Sequence, residues 1–419
     1  MKKNIWLINH YAAAMYLDRA GRHYSFAKNL NERGYSPTIF CASTIHNSNN
    51  ESIELGNEKY LINQVQDISF VFIKTPSYSG NGMQRIKNMF SFYRNLFPVA
   101  KEYAKKYGKP DTIVASSVHP LTLVAAIKIA KKLGVPCICE VRDLWPESLV
   151  AYGILKRKSL FTKLLYTGEK WIYKNADKLI FTMEGGKDYI IERGWDKNSG
   201  GPIDVKNIYH INNGVDLEKF NFNKNEFVLD DSDLSNEETF KVVYTGSIRQ
   251  ANNVKKIVEI GENIHHRGYK NIQFLIYGKG PDKESLENYC VENEITNIKF
   301  KGFIDKKYIP YVLSQSNLNI IQLFDQNELK QYGASLNKMF DYFASGKPTI
   351  SDCLFGYDLI QKYKCGIVID NATVEQLTEA IVEMSELPQE QYEVYCKNAL
   401  IAARDYDFKV LTNQLEKLL

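Results

Sequence analysis

Short, almost purely apolar runs recur along this chain, and each is followed by a segment of helical periodicity. The first series falls at residues 5–8, 38–41, 71–73, 112–115, 136–139, 178–181 and 207–210. The second falls at 241–244, 273–277, 297–300, 318–321, 348–350 and 366–369. A strand apolar on both faces must be covered on both faces, and the intervening helices supply that cover, so the pattern predicts parallel sheets. A helix is predicted over 22–33, ending at Gly34, and others near 253–267, 282–292, 306–315, 336–345 and 373–386. Residues 43–68 are polar and Asn-rich and read as a loop or small insertion. Residues 213–240 have little periodicity and read as a linker. The result is two tandem doubly wound α/β domains, spanning 1–215 and 216–402, with a last amphipathic helix over 403–419 expected to return to the first.

Composition narrows the function classes. Hydrophobic residues make up 44% and charged residues 24% of 419, which excludes a disordered or fibrous chain. No apolar run approaches the roughly 18 residues of a membrane span. Asn9, His10, Asp18, Arg19 and Arg22 break the N-terminal segment, so no secretory leader is expected and the chain reads as cytoplasmic. Seven scattered cysteines read as reduced thiols. The net charge of +4 is unevenly spread: residues 1–220 carry a net +11 and the remainder −7. A basic first half suits an anionic membrane or ligand.

In open α/β sheets, ligands gather at the loops that follow the strands. In the second half, Tyr244-Thr245-Gly246-Ser247-Ile248-Arg249 leaves a strand for a helix; Gly246 permits a tight turn, while Ser247 and Arg249 offer a hydroxyl and a charge. Tyr277-Gly278-Lys279-Gly280-Pro281 begins like a dinucleotide fingerprint but has no third glycine, which argues against NAD. Gly278 and Gly280 admit a flat ligand near the backbone or make a plain βα turn. The most informative stretch is Gly333-Ala334-Ser335-Leu336-Asn337-Lys338-Met339-Phe340-Asp341, closed by Gly346-Lys347-Pro348. Lys338 sits in the first helical turn, where a cation opposes the helix dipole. A phosphate neutralised there explains it better than stability does. Asp341, three residues on and on the same face, suits vicinal hydroxyls such as those of a ribose.

This segment resembles the donor-binding signature of GT-B glycosyltransferases, specifically the retaining family 4. The resemblance implies a GT-B fold, two Rossmann-like domains facing a central cleft, a nucleotide-sugar donor and no metal or other cofactor. Asp341 occupies the second carboxylate position of that signature, whereas Gly333 stands where the first Glu is usual. Ser247 and Asn252 stand near the family's Arg and Lys, so Arg249 and Lys338 are the candidates to carry that charge. Gly302-Phe303-Ile304 resembles the turn that meets the nucleobase. The implied donor site is Gly246, Ser247, Gly278, Gly280, Phe303, Ile304, Gly333, Ser335, Asn337 and Asp341, with Lys338 and Arg249 catalytic. Asp231-Ser232-Asp233 spells a metal-binding triplet of the other glycosyltransferase fold, but it lies in the polar linker and reads as chance.

In the first half, His10 ends the first strand and Gly21-Arg22 opens a helix, where the family carries a loop near the donor diphosphate. Ser116-Ser117-Val118-His119-Pro120 follows another strand, and family members carry a histidine there, near the transferred sugar. Glu140-Val141-Arg142-Asp143-Leu144-Trp145-Pro146-Glu147 reads as an acceptor-side loop or a salt-bridged loop anchored by Trp145. That run resembles bacterial transferases of capsule and O-antigen synthesis, including N-acetylfucosamine transferases. The acceptor-side candidates are thus His10, Gly21, Arg22, Arg142, Asp143 and Glu147, with His119 catalytic.

Residues 83–109 hold Arg85, Lys87, Arg94 and four further lysines among aromatics, and Lys156-Arg157-Lys158 with Lys163 forms a second basic cluster. No nucleic-acid-binding signature accompanies them. They are expected to rest on the inner face of the plasma membrane. The expected activity is transfer of a sugar from a UDP-sugar to a lipid-diphosphate-linked saccharide. A UDP-N-acetylglucosamine 2-epimerase-like enzyme and a non-catalytic nucleotide-sugar-binding subunit stay open as alternatives.

Overall fold

The structure is a computed structural model that describes residues 2–45, 52–80, 82–323 and 327–419. The chain divides into two compact units, Met1–Asn212 with Phe408–Leu419, and Asn213–Asp407. Both are Rossmann-like parallel-sheet domains.

The first unit is built on eight strands: β1 (Asn4–Ile8), β2 (Ser36–Ala42), β3 (Tyr60–Val65), β4 (Ile68–Ile73), β5 (Thr112–Ser116), β6 (Cys137–Val141), β7 (Lys178–Phe181) and β8 (Ile208–His210). Their order is β3-β4-β2-β1-β5-β6-β7-β8, parallel except for the β3–β4 pair. β1, β5 and β6 are buried at almost every residue, which is why they read as continuous apolar runs. β3 corrects the reading of 43–68 as loop: Tyr60–Val65 is a half-buried edge strand pairing antiparallel with β4. Within that stretch, residues 46–51 lie outside the described residues. The helix Phe408–Glu416 packs against Arg22–Glu32, where Arg33 and Tyr35 bond Glu416 and Phe26 meets Phe408 edge-on.

The second unit holds β9 (Phe240–Thr245), β10 (Ile272–Tyr277), β11 (Ile298–Gly302), β12 (Leu318–Ile321), β13 (Thr349–Ser351) and β14 (Gly366–Val368), all parallel and ordered β11-β10-β9-β12-β13-β14. Its core joins the inward faces of β9, β10 and β12 to the helices Val254–His266 and Val374–Ser385, around Phe274, Ile257 and Ile381. Residues 213–240 are not a plain linker: Asp216 caps the helix Leu217–Glu226, and Ser232–Ser235 forms a short second helix. Asp231 and Asp233 both pair with Lys301, at 2.8 and 2.6 Å.

In each sheet the order of the parallel strands reverses direction once, between β1 and β5 and between β9 and β12. Loops leaving the carboxyl ends on either side of such a point diverge and leave a crevice. Among the described residues no helix is long and apolar enough to cross a membrane.

Candidate functional site

In the second unit the loops after β9, β10 and β11 are laced together by main-chain hydrogen bonds. The Gly246 amide donates to the Tyr277 carbonyl (3.0 Å), Ile248 to Lys279 (2.9 Å), and Gly278 to Gly302 (2.8 Å). This spacing tolerates no side chains. A Cβ on Gly278 would lie 1.8 Å from the Gly246 carbonyl oxygen, and one on Gly280 would lie 1.9 Å from that of Ile248. Gly278 and Gly280 are thus required by backbone approach, and the three turns form one rigid floor. Phe303 stands on its rim, 59% exposed, with the Lys279 ammonium 4.5 Å from the ring centroid. Ile304 beside it is half-buried.

Lys338 reaches this floor from the start of the helix Asn337–Ala344. Its Nζ donates to the Tyr244 hydroxyl (3.1 Å) and lies 4.3 Å from that ring's centroid. A Cβ on Gly246 would come within 2.9 Å of the same Nζ, so Gly246 leaves the room Lys338 occupies. Tyr244 in turn donates to the Ser247 carbonyl (2.9 Å), and the Asn252 side-chain amide bonds both the carbonyl and the hydroxyl of Ser247. Burial, then repulsion from Arg249, brings the Lys338 ammonium down to about 7. The Arg249 side chain itself is exposed.

No side chain caps the helix at Leu336, so its first amides are left for an outside acceptor. Gly333, at φ +91°, turns the chain into this start. Ser335 is tied back: its hydroxyl and carbonyl accept from the main-chain and side-chain amides of Asn213 (3.1 and 2.9 Å). Asn337 is exposed. Asp341 lies one turn along. Enclosure by protein, opposed by Lys306, pushes its carboxyl up to about 7, although its surface is not fully covered. Among the described residues its carboxylate makes no ion pair with Lys338 and accepts no hydrogen bond, while its main-chain carbonyl accepts from the Ser345 amide (3.0 Å). A cation and a carboxyl, both held near their midpoints and unpaired with each other, form a site that an anionic, hydroxyl-bearing ligand would complete.

The first unit gathers a different set at the β1/β5 reversal. His10 Nδ1 and His119 Nε2 are 2.5 Å apart, and His10 Nε2 is 2.7 Å from the Asn88 side-chain oxygen. Asn88 is fixed by Thr44 and the Pro76 carbonyl, and Arg85 bonds the Tyr11 hydroxyl beside them. Both rings are buried, and His119 Nδ1 is enclosed with no hydrogen-bond partner among the described residues. Burial, then the Arg85 charge, brings His119 down to about 3, so its ring is neutral at pH 7.

Two acceptor-side assignments change meaning. Gly21, at φ +101°, starts the helix as expected. However, Arg22 is spent inside the unit, bonding Glu140 (2.7 Å) and the carbonyls of Ile211 and Asn212. Burial opposes the Glu140 charge, but Arg22, His23 and Arg142 outweigh it and hold the carboxyl far below its usual range. Glu147 is likewise taken up by Arg157, Arg193 and the Tyr166 hydroxyl. Arg22 and Glu147 therefore brace the loops, which leaves Arg142, half-buried, and Asp143, exposed, as the outward charges of that run.

The residues missed by sequence reading are the supports. Tyr244 holds Lys338, and Tyr342 accepts from the Thr245 amide at 3.0 Å. Their signal was a tyrosine at a core-facing position of its element, whose hydroxyl needs a partner when buried.

Residues 22–219 match the family described as Glycosyltransferase Family 4, and residues 239–386 match Glycosyl transferases group 1. The chain is a family 4 glycosyltransferase of the GT-B fold. Solved structures agree along the whole length. The α,α-trehalose 6-phosphate synthase of Burkholderia multivorans superposes with a TM-score of 0.70 at 11% identity, covering 100% of this chain and 98% of that one. Anabaena Alr3699/HepE, solved in complex with UDP, gives 0.64 at 12%, covering 99% of each. WaaG, a glycosyltransferase involved in lipopolysaccharide biosynthesis, gives 0.64 at 13%, also covering 99% of each. Identities this low carry the fold and nothing finer. No curated protein sequence matches this one.

Proposed function

We propose that this glycosyltransferase takes its sugar from a UDP-sugar and passes it, with retention of anomeric configuration, to a lipid-diphosphate-linked saccharide. The proposed setting is bacterial capsule or O-antigen synthesis at the inner face of the plasma membrane, with a donor sugar of the N-acetylated deoxyhexosamine class. The observation that carries the reading is the half-buried Lys338 side chain, its ammonium held by Tyr244 above the glycine floor beside an uncapped helix start.

In this reading the diphosphate lies on Lys338 and the first amides of Asn337–Ala344, with Arg249 adding a charge from the rim. The ribose hydroxyls donate to Asp341. As the bond from sugar to phosphate breaks, negative charge grows on the departing phosphate, and fixed donors stabilise that growth without having to reorganise. The base rests against the Gly302-Phe303-Ile304 turn. His119, neutral, serves the sugar side as a hydrogen-bonding group. The basic first domain is assigned to the membrane that holds the acceptor.

This chain departs from the family pattern by lacking the first Glu, at Gly333, and the two cations near Ser247 and Asn252. Lys338 supplies a cation from a different element. The test is UDP release from a panel of UDP-sugars with lipid-linked acceptors. Acceptor-dependent release of UDP with a glycosylated product is expected. Turnover of the donor alone into an epimer, or UDP binding that never leads to turnover, would contradict it.

A further inference from the structure

The helix Leu160–Asn175 presents an apolar face where a surface helix is ordinarily polar. Its inner side is filled by Thr162, Glu169, Ile172 and Tyr173, all buried. At about 100° per residue, Leu160, Leu164 and Trp171 align on the opposite side, and Phe161 falls beside them. Their exposures are 85%, 67%, 37% and 60%. Thr167 and Gly168 fill the gap, so no charge interrupts the stripe. Tyr152 and Ile154, in the segment leading into the helix, are 52% and 67% exposed.

The charges around this stripe have one sign. Lys163, Lys170 and Lys174 fall together along one flank at helical spacing, and Lys156 and Lys158 precede the helix. Between residues 148 and 176 the only acid is Glu169. It is buried, with its two oxygens bonded by the hydroxyls of Tyr173 and Tyr189 at 2.8 Å each. Arg157 is paired with Glu147. An outward apolar stripe bordered by lysines is the pattern of a helix lying in a lipid interface. A protein interface of similar size tends to exclude lysine. The helix Met83–Tyr107 competes less well. Its exposed stripe of Met83, Ile86 and Phe90 spans only its first two turns, while Phe92 and Tyr103 are core residues.

We propose that the outer face of Leu160–Asn175 is where this chain rests on an anionic bilayer. Leu160, Phe161 and Leu164 enter the acyl boundary, and the flanking lysines meet headgroup phosphates. This rests on the membrane reading given above and supplies its address.

The test is flotation of the full chain with phosphatidylcholine vesicles, with and without phosphatidylglycerol. The wild type is expected to float only with the anionic vesicles and to detach as salt is raised. Leu160→Glu with Leu164→Glu is expected to weaken vesicle binding about tenfold or more, with melting temperature and UDP affinity unchanged. Phe90→Glu is expected to float like the wild type. The proposal is overturned if the wild type never floats, if the double variant floats as well as the wild type, or if light scattering shows a dimer that the double variant splits. Loss of UDP binding with flotation intact would sink the nucleotide-sugar reading and leave this one standing.

Discussion

Binding of UDP should move protons in a direction that depends on pH. Lys338 and Asp341 both stand near 7 in the free protein, the first lowered and the second raised, each chiefly by burial. A diphosphate beside Lys338 restores its ammonium toward the ordinary value of about 10. Ribose hydroxyls donating to Asp341 favour its ionised form and lower it. At pH 8 the free Lys338 is about 90% neutral and Asp341 about 10% protonated, so binding should take up about 0.9 proton at the first and release about 0.1 at the second. The net uptake is about 0.8 proton. A group whose pKa is higher in the complex binds best when protonated, so affinity should fall almost tenfold per unit from pH 8 to pH 9. At pH 6 the sign reverses: Asp341 releases its proton, and the terminal phosphate, with its own ionisation at about 6, adds to the release. Calorimetric titration in two buffers of different ionisation enthalpy reads these numbers directly. Lys338→Met should abolish the uptake at pH 8 and flatten the affinity profile there. No uptake in the wild type at pH 8, or the same uptake in Lys338→Met, would refute the placement of the diphosphate on Lys338.

Other outcomes follow from the same geometry. Asp341→Ala removes a charged acceptor worth about 1.5–3 kcal/mol, so UDP affinity by calorimetry should fall roughly 10- to 100-fold; an unchanged affinity removes Asp341 from the ribose. Lys338→Met should lower kcat at saturating donor by about 10²–10³, in addition to the loss of diphosphate affinity that the same linkage demands, and an unchanged kcat in steady-state kinetics would count against leaving-group stabilisation. Gly278→Ala forces a methyl to 1.8 Å from the Gly246 carbonyl oxygen, a cost near the upper end of about 1–3 kcal/mol. A calorimetric melt should drop by about 5–10 °C and UDP affinity should fall with it; a wild-type melt would mean the floor is not rigid.

The strands were legible because buried parallel strands are apolar on both faces and need no partner to be seen. β3 was not, since Tyr60–Val65 is a half-buried edge strand at the end of a polar, Asn-rich stretch, and Asn63 and Gln64 interrupt its apolar residues. The helix Leu217–Glu226 was hidden for a related reason: it buries only Phe220 and Asn223. The helix Gln389–Asp405, which sequence reading did not mark, packs through Ala399, Ala402 and Ala403, residues too small to stand out as a stripe. In the site, Lys338 was legible because a cation at a helix start works against the dipole and so asks for a reason. The lacing of the glycine turns was only partly legible, because it depends on chain segments about 30 residues apart. Arg22 and Glu147 show the opposite error: charged residues next to a strand end look like ligand groups, and only the fold reveals that Glu140, Arg157 and Arg193 already engage them.

The central claim is that a nucleoside diphosphate is held by Lys338 and Asp341, one helical turn apart. A crystal structure of the chain with UDP tests it most directly. The account predicts phosphate oxygens about 3 Å from Lys338 Nζ and ribose hydroxyls on the Asp341 carboxylate. UDP bound elsewhere in the chain, or a Lys338 ammonium still resting on Tyr244 with no phosphate beside it, would contradict it.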